Sequence, residues 1–387
     1  MSINNFNMKS PHFCYEPWVG LDIDNSGLIR PCCKFNHKIV SGWENNNINH
    51  ISLYDYKNSK ELENLKQSFL KGEKPEACER CWKDEDALYP SKRMLDSKRW
   101  EQEFNEVVLD NSETLLVTLP LSNICNLKCR ICGPNSSSSW IKEHFDLYGE
   151  KISNNILNSD YVWKNILNLC DNILEIHVHG GEPFLYDDDK HLELLYKLAN
   201  SKNANKVRLH YSTNCTVFPD EKYWKLFAKI GHVDIQPSID DIGKRFEYNR
   251  KNANWTEVEN NLLLYKNKLR STDNFQLSIS TTVSAFTVFY LDEIFDYFSK
   301  NYLPKPWLGR LSKPNYYRCS IFPVEYREVI KQKLLDSKHG DLKNISSWLD
   351  EDDSLLLEQF KYHTRLHDQY RNESFDKIFP EIYSWIF

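Results

Sequence analysis

The chain has 387 residues, enough for one large domain with an appendage or for two domains. It is 41% hydrophobic and 27% charged, with a formal net charge of −6 and no basic block, which suits an ordinary globular core and argues against a nucleic-acid partner. No apolar run reaches membrane-span length and Met1–Ser10 is polar, so neither a membrane nor secretion is expected, and the chain is assigned to the cytoplasm.

In a reducing cytoplasm the eleven cysteines are poor disulfide candidates. Eight of them fall into sets with ligand spacing, which points to metal or redox chemistry. Five lie in a first region, residues 11–112. There Val19 to Arg30 alternates like a hairpin turning at Asn25–Gly27, which brings Cys14 toward Cys32. Lys60–Lys71 reads as an amphipathic helix that delivers Cys78 and Cys81. Cys14, Cys32, Cys78 and Cys81 are spaced C-x17-C-x45-C-x2-C, with Cys33 able to replace Cys32. Four such thiolates suit a [4Fe–4S] cluster or a structural zinc ion. Glu16, Asp84, Asp86 and the run Ser91-Lys92-Arg93 read as solvated surface.

Residues 113–312 show a strand–helix rhythm. Strands are expected at Thr114–Pro120, Ile173–His179, Lys206–Thr213, Val233–Ile239, Phe275–Val283 and Trp307–Leu311. Helices are expected at Ser136–Tyr148, Asp188–Ala199, Asp220–Ile230, Trp255–Leu269 and Leu291–Lys300. Parallel strands buried on both faces read as continuous apolar runs, and these do not. Glu175, His177 and His179 alternate with Ile176 and Val178; Asp234, Gln236 and Ser238 alternate with Val233, Ile235 and Ile239. One face packs on helices and the other is polar. The fold class is therefore α/β, a partial (βα)6 TIM-like barrel with function at the C-terminal strand ends. His177 and His179 are the candidates for substrate contact. Prolines between 304 and 323 mark a boundary, and residues 313–387 read as a helical extension.

Directly after the first of these six strands, Cys125, Cys129 and Cys132 form C-x3-C-x2-C. Three thiolates on a short loop can hold three irons of a [4Fe–4S] cube and leave the fourth open to a non-protein ligand. A zinc site or three merely buried cysteines are the other readings, but no fourth protein ligand lies nearby in sequence.

This loop and the motifs after it resemble the radical S-adenosylmethionine (SAM) superfamily. His179-Gly-Gly-Glu-Pro183 is similar to the family's GGEP motif. The resemblance implies that Gly180, Gly181, Glu182 and Pro183 hold the SAM amino group, the glycines admitting close backbone approach. Ser212-Thr-Asn-Cys215 resembles T-N-G, which implicates Asn214, with Cys215 in the glycine position. Ser238-Ile-Asp240 resembles the S-x-D that contacts the SAM ribose. Arg250 lies where relatives place an arginine on the SAM carboxylate, and Val283 where backbone groups meet the adenine. Ile131 stands where the family often has an aromatic residue. The N-terminal cysteines resemble the twitch module, a short relative of the SPASM domain, here ahead of the barrel. That implies a second, auxiliary [4Fe–4S] cluster on Cys14, Cys32, Cys78 and Cys81.

The resemblance implies an oxidoreductase-type enzyme that cleaves SAM reductively and takes hydrogen from a substrate C–H bond. A peptide or protein side chain is the expected substrate, oxidised or cross-linked with the auxiliary cluster accepting an electron. A small polar molecule such as a sugar, aminocyclitol or nucleotide is the alternative, and a non-catalytic iron–sulfur sensor a further one. A flavodoxin or ferredoxin is the expected reductant.

Overall fold

The computed structural model describes residues 10–86, 90–103, 114–152, 160–186, 189–269 and 271–387. The chain divides into two compact units. Met1–Asn123, Asn155–His210 and Asp220–Val233 form the first; Ile124–Asn154, Tyr211–Pro219 and Asp234–Phe387 form the second. The strands are β1 Gly20–Ile23, β2 Ile29–Arg30, β3 Leu116–Pro120, β4 Lys128–Cys129, β5 Glu175–His179, β6 Arg208–Thr213, β7 His232–Pro237, β8 Arg250–Lys251, β9 Phe275–Leu277, β10 Ile279–Val283 and β11 Pro306–Arg310.

In the first unit the sheet order is β2-β1-β3-β5, followed by the opening residues of β6 and β7. β1 and β2 form the expected hairpin. Asp24 Oδ1 closes its turn by accepting from Ser26 N at 2.8 Å, and Gly27 takes φ +82°, a conformation glycine adopts without steric cost. β1 then runs parallel to β3, with Gly20 opposite Leu116 and Asp22 opposite Thr118. The N-terminal strands thus extend the same sheet as the strands after residue 114. β3 pairs in parallel with β5, Thr118 opposite His177 and Pro120 opposite His179.

The alternation read from sequence is present. Ile176, Val178, Leu209 and Tyr211 are fully buried, while His177, His179 and His210 are half-buried. Each buried aliphatic side chain contributes about 1.5–3 kcal/mol. The helix Lys60–Leu70 begins at Ser59, whose hydroxyl accepts from Leu62 N. The next expected helix of this unit is formed over Asp189–Ala199, and its expected first residue, Asp188, lies outside the described residues. The expected boundary at 112–113 lies outside them too.

In the second unit the closing residues of β6 and β7 precede β9, and β10 pairs in parallel with β11 over five positions. The single strand expected over Phe275–Val283 is broken at Ser278. Its N–H donates to Ile235 O at 3.1 Å and its hydroxyl to Asp234 Oδ1 at 2.8 Å. The helix expected from Ser136 starts at Trp140, because the preceding serines bond to a loop instead. Val324–Asp336, Leu357–Arg371 and Pro380–Ile386 supply the C-terminal helices. The result is an α/β fold of parallel strands and intervening helices, with helices at the C-terminus. No described helix is long and apolar enough to cross a membrane.

Candidate functional site

The loop of Cys125, Cys129 and Cys132 belongs to the second unit. Cys125 and Cys129 are buried and Cys132 is exposed. Three serines just after the loop explain its shape. Ser138 Oγ accepts from Cys125 N at 3.1 Å, Ser139 Oγ donates to Cys125 O at 2.7 Å, and Ser137 Oγ donates to Leu127 O at 2.5 Å. Trp140 Nε1 donates to Cys129 O at 2.9 Å. Short polar side chains thus satisfy loop backbone groups that no strand or helix could serve. Sequence reasoning assigned these serines to a helix and missed this role; the run Ser136–Ser139 beside the motif was the available signal.

Besides the Leu127 N–H, 3.5 Å from Cys125 Sγ, two side-chain donors are directed at the cysteine sulfurs. Asn214 Nδ2 lies 3.6 Å from Cys125 Sγ, and Arg250 Nη1 lies 3.8 Å from Cys129 Sγ. Burial pushes the Cys129 thiol up and Arg250 pulls it back. β4 pairs with β8 so that Cys129 lies opposite Arg250. Asp240 holds the guanidinium, accepting from Nε at 3.0 Å and Nη2 at 2.7 Å, and its other oxygen accepts from Thr282 N at 2.8 Å. Asp240 and Arg250 are therefore bonded to each other, an arrangement the sequence reading did not anticipate. Ser238 is half-buried, its N–H donating to Thr213 O at 2.9 Å. Val283 is fully buried, and its carbonyl accepts from Leu311 N at 3.1 Å.

Cys215 explains its own departure from T-N-G. Its φ is +65°, the left-handed region that favours glycine, and its side chain is fully buried with Sγ 3.9 Å from Val258 O. It is a packed thiol.

In the first unit, Gly180 has φ +86° and Gly181 φ +54°. A Cβ on Gly180 would lie 2.8 Å from Pro120 Cβ and 2.9 Å from Ser122 O, so the close approach of β3 alone demands glycine there. Glu182 is fully buried and accepts from Phe184 N at 3.2 Å, opening a short turn that begins at Pro183. The polar strand face of this unit gathers His177, His179 and His210. His177 Nε2 lies 2.5 Å from Glu175 Oε1, which also accepts from Arg99 at 3.0 Å. The His177 and His210 rings are 5.0 Å apart. Burial, with His177, Arg30 and His210 nearby, pulls His179 down to about 4.

Also in the first unit, Cys14, Cys32, Cys78 and Cys81 line one small cavity with Glu16, Lys34, Phe35, Phe69, Lys92 and Arg93. Cys32 faces it, and Cys33 is exposed. Among the described residues no three His, Cys, Asp or Glu side chains gather as a single metal ion requires. Burial pushes Cys78 up to about 12, with the Cys81 thiol beside it adding to the rise. Four thiols walled by two phenyl rings and three cationic side chains fit a thiolate-bound, net-negative group. Glu16, Ser91 and Arg93 are not solvated, contrary to the sequence reading: they are 2%, 0% and 8% exposed. Arg93 is folded inward because it forks onto Glu85 (2.7 and 3.0 Å) and donates to Phe13 O at 2.7 Å. Asp84 is half-buried, and Asp86 is exposed as expected.

Residues 119–278 match the radical SAM superfamily model. Among solved structures, native anSMEcpe with bound AdoMet is 21% identical with a TM-score of 0.43, over 56% of this chain and 58% of that one. SuiB of Streptococcus suis bound to S-adenosylmethionine is 17% identical with a TM-score of 0.38, over 70% and 59%. TsrM of Kitasatospora setae, a radical S-adenosylmethionine methyltransferase with tryptophan substrate and SAM analogue bound, is 16% identical with a TM-score of 0.34, over 50% and 35%. The chain thus spans less than two thirds of each. No curated protein sequence matches it.

Proposed function

We propose that the chain is a radical SAM enzyme that cleaves SAM reductively and oxidises or cross-links a peptide or protein side chain. The observation that carries this reading is the loop of Cys125, Cys129 and Cys132, with the Asn214 amide and the Arg250 guanidinium aimed at two of its sulfurs. The chemistry of a [4Fe–4S] cluster held there would be one-electron reductive cleavage of SAM. The three thiolates would hold it, the serine run would fix the loop, and Arg250 would offset thiolate charge. Asp240 restrains Arg250 in turn. Ser238 and the backbone at Val283 would meet the ribose and adenine, and Gly180 to Pro183 the SAM amino group.

Cys14, Cys32, Cys78 and Cys81 would hold the auxiliary cluster, with Lys34, Lys92 and Arg93 balancing its charge. His177 and His179 would face the substrate. The half-buried polar row suits an amide or a hydroxyl, which also supports a second reading: a sugar, aminocyclitol or nucleotide as substrate. A flavodoxin or ferredoxin in the cytoplasm would supply the electron.

The test is anaerobic incubation of the reconstituted protein with SAM and dithionite. 5′-Deoxyadenosine is the expected product, and its absence from protein with a fully loaded loop site would refute the reading. Adding fractionated host extract and following hydrogen loss by mass spectrometry would then identify the substrate.

A further inference from the structure

Glu16 lines the four-cysteine cavity and is 2% exposed, yet no N–H or hydroxyl group donates to either carboxylate oxygen, and the Asp96 carboxyl lies beside it. Its nearest cation, Lys92 Nζ, lies 3.7 Å from Oε1, beyond hydrogen-bonding distance, and makes its short contact with Asp96 instead. On the same helix, Lys92–Glu103, Arg93 is taken up by Glu85 and Phe13 O, and Arg99 donates to Glu175 at 3.0 Å. A buried carboxylate with one loose ion pair and a second carboxyl beside it is stabilised by a cation that meets it. Gly20, one helical turn on, has no Cβ to crowd Pro31 O, which one would meet at 2.4 Å, or Glu16 Oε2, at 2.6 Å.

We infer that Glu16 is a fifth protein donor of the N-terminal metal site, binding iron through a carboxylate oxygen beside Cys14, Cys32, Cys78 and Cys81. Carboxylate oxygen is a harder donor than thiolate, so the iron it meets differs electronically from its neighbours. The site is then asymmetric, with one metal position marked by oxygen. This rests on the auxiliary-cluster reading given above.

The test uses the full chain with Cys125, Cys129 and Cys132 changed to Ala, so that only the N-terminal site loads, reconstituted anaerobically with isotopically enriched iron. X-ray absorption at the iron edge should show an oxygen scatterer inside the sulfur shell. Mössbauer spectra should show a distinct subsite holding about a quarter of the iron. Glu16→Gln in that background should abolish both signals at unchanged iron content. An all-sulfur shell in the parent, or identical spectra after Glu16→Gln, overturns the inference. If Glu16→Gln fails to fold, the parent spectra alone decide. Should the site hold zinc, the auxiliary-cluster reading falls separately, and absorption at the zinc edge decides the Glu16 donor by the same oxygen shell.

Discussion

Arg130 Nη2 donates to Asp368 Oδ1 at 2.5 Å, joining residues 238 positions apart. Arg130 sits between two cysteines of the loop and is completely buried. Glu373 accepts from the same nitrogen at 2.7 Å, and the guanidinium carbon lies 3.7 Å from the centre of the Tyr248 ring. Lys128, one residue before Cys129, is held by Glu143 at 2.8 Å, which Arg371 also binds at 2.8 Å. The C-terminal helix Leu357–Arg371 and the residues just after it thus brace the loop from behind. Breaking a buried charge network by removing one partner costs about 3–5 kcal/mol. Arg130→Met should lower unfolding free energy by that amount and release iron from the loop site. A denaturant midpoint within error of the parent's, with iron retained, would mean that the brace is idle.

The loop cysteines carry the radical chemistry on the reading above. Changing Cys125, Cys129 and Cys132 together to Ala should abolish 5′-deoxyadenosine formation under reducing anaerobic conditions. Residual product from the triple variant would place the chemistry elsewhere.

The four-cysteine cavity should load independently. Cys78→Ala with Cys81→Ala should remove about half the iron if both sites hold four-iron clusters, while SAM cleavage continues. Circular dichroism controls for misfolding. Full iron in the folded double variant contradicts the assignment.

Ser238 and Arg250 should behave differently on mutation. Ser238→Ala removes at most one side-chain hydrogen bond, worth about 0.5–1.5 kcal/mol, so SAM affinity should fall about two- to tenfold with iron unchanged. Arg250→Ala removes the donor to Cys129 Sγ and leaves buried Asp240 with Thr282 N as its other partner. Both iron content and SAM affinity should fall. Equal behaviour of the two variants would mean that Arg250 does not touch the loop in solution.

His191 sets an acid limit on stability. It is fully buried, and burial pulls it from 6.5 down to about 4. Between those values the unfolded chain binds a proton that the folded chain refuses, so stability falls as pH drops through that window. The loss approaches about 3 kcal/mol near pH 4. Above pH 6.5 this residue contributes no pH dependence. His191→Gln should flatten that part of the stability curve, measured by urea unfolding at stepped pH. An unchanged slope would assign the acid sensitivity to other groups.

Much of this was legible because period-two alternation is a local signal. Ile176 and Val178 against His177 and His179 gave the strand, its buried face and its polar face together. The hairpin was legible at Gly27, where the turn needs a positive φ. The pairing of β1 with β3 was not, because nothing in Gly20–Ile23 specifies which distant strand it meets. Glu16 and Arg93 looked like surface because charge in a sequence says nothing about burial; only the fold turns them toward the cysteines. Arg130 escaped notice for the same reason, its partners being far along the chain. Motif spacing found the cysteines and Asn214, but not that Asp240 and Arg250 bind each other.

The insertion of β1 between β2 and β3 has a consequence for biosynthesis. β1 emerges from the ribosome early, yet its parallel partner begins roughly a hundred residues later, several seconds of translation at about 5–20 residues per second. Until then the hairpin has an unpaired edge, and the thiols of Cys14, Cys32 and Cys33 are attached to an unfinished sheet. Iron delivered during that interval would meet cysteines not yet held in register. Loading after chain release should therefore give more fully occupied N-terminal sites than loading during synthesis, and limited proteolysis of stalled nascent chains should find β1 protected only once β3 has cleared the exit tunnel.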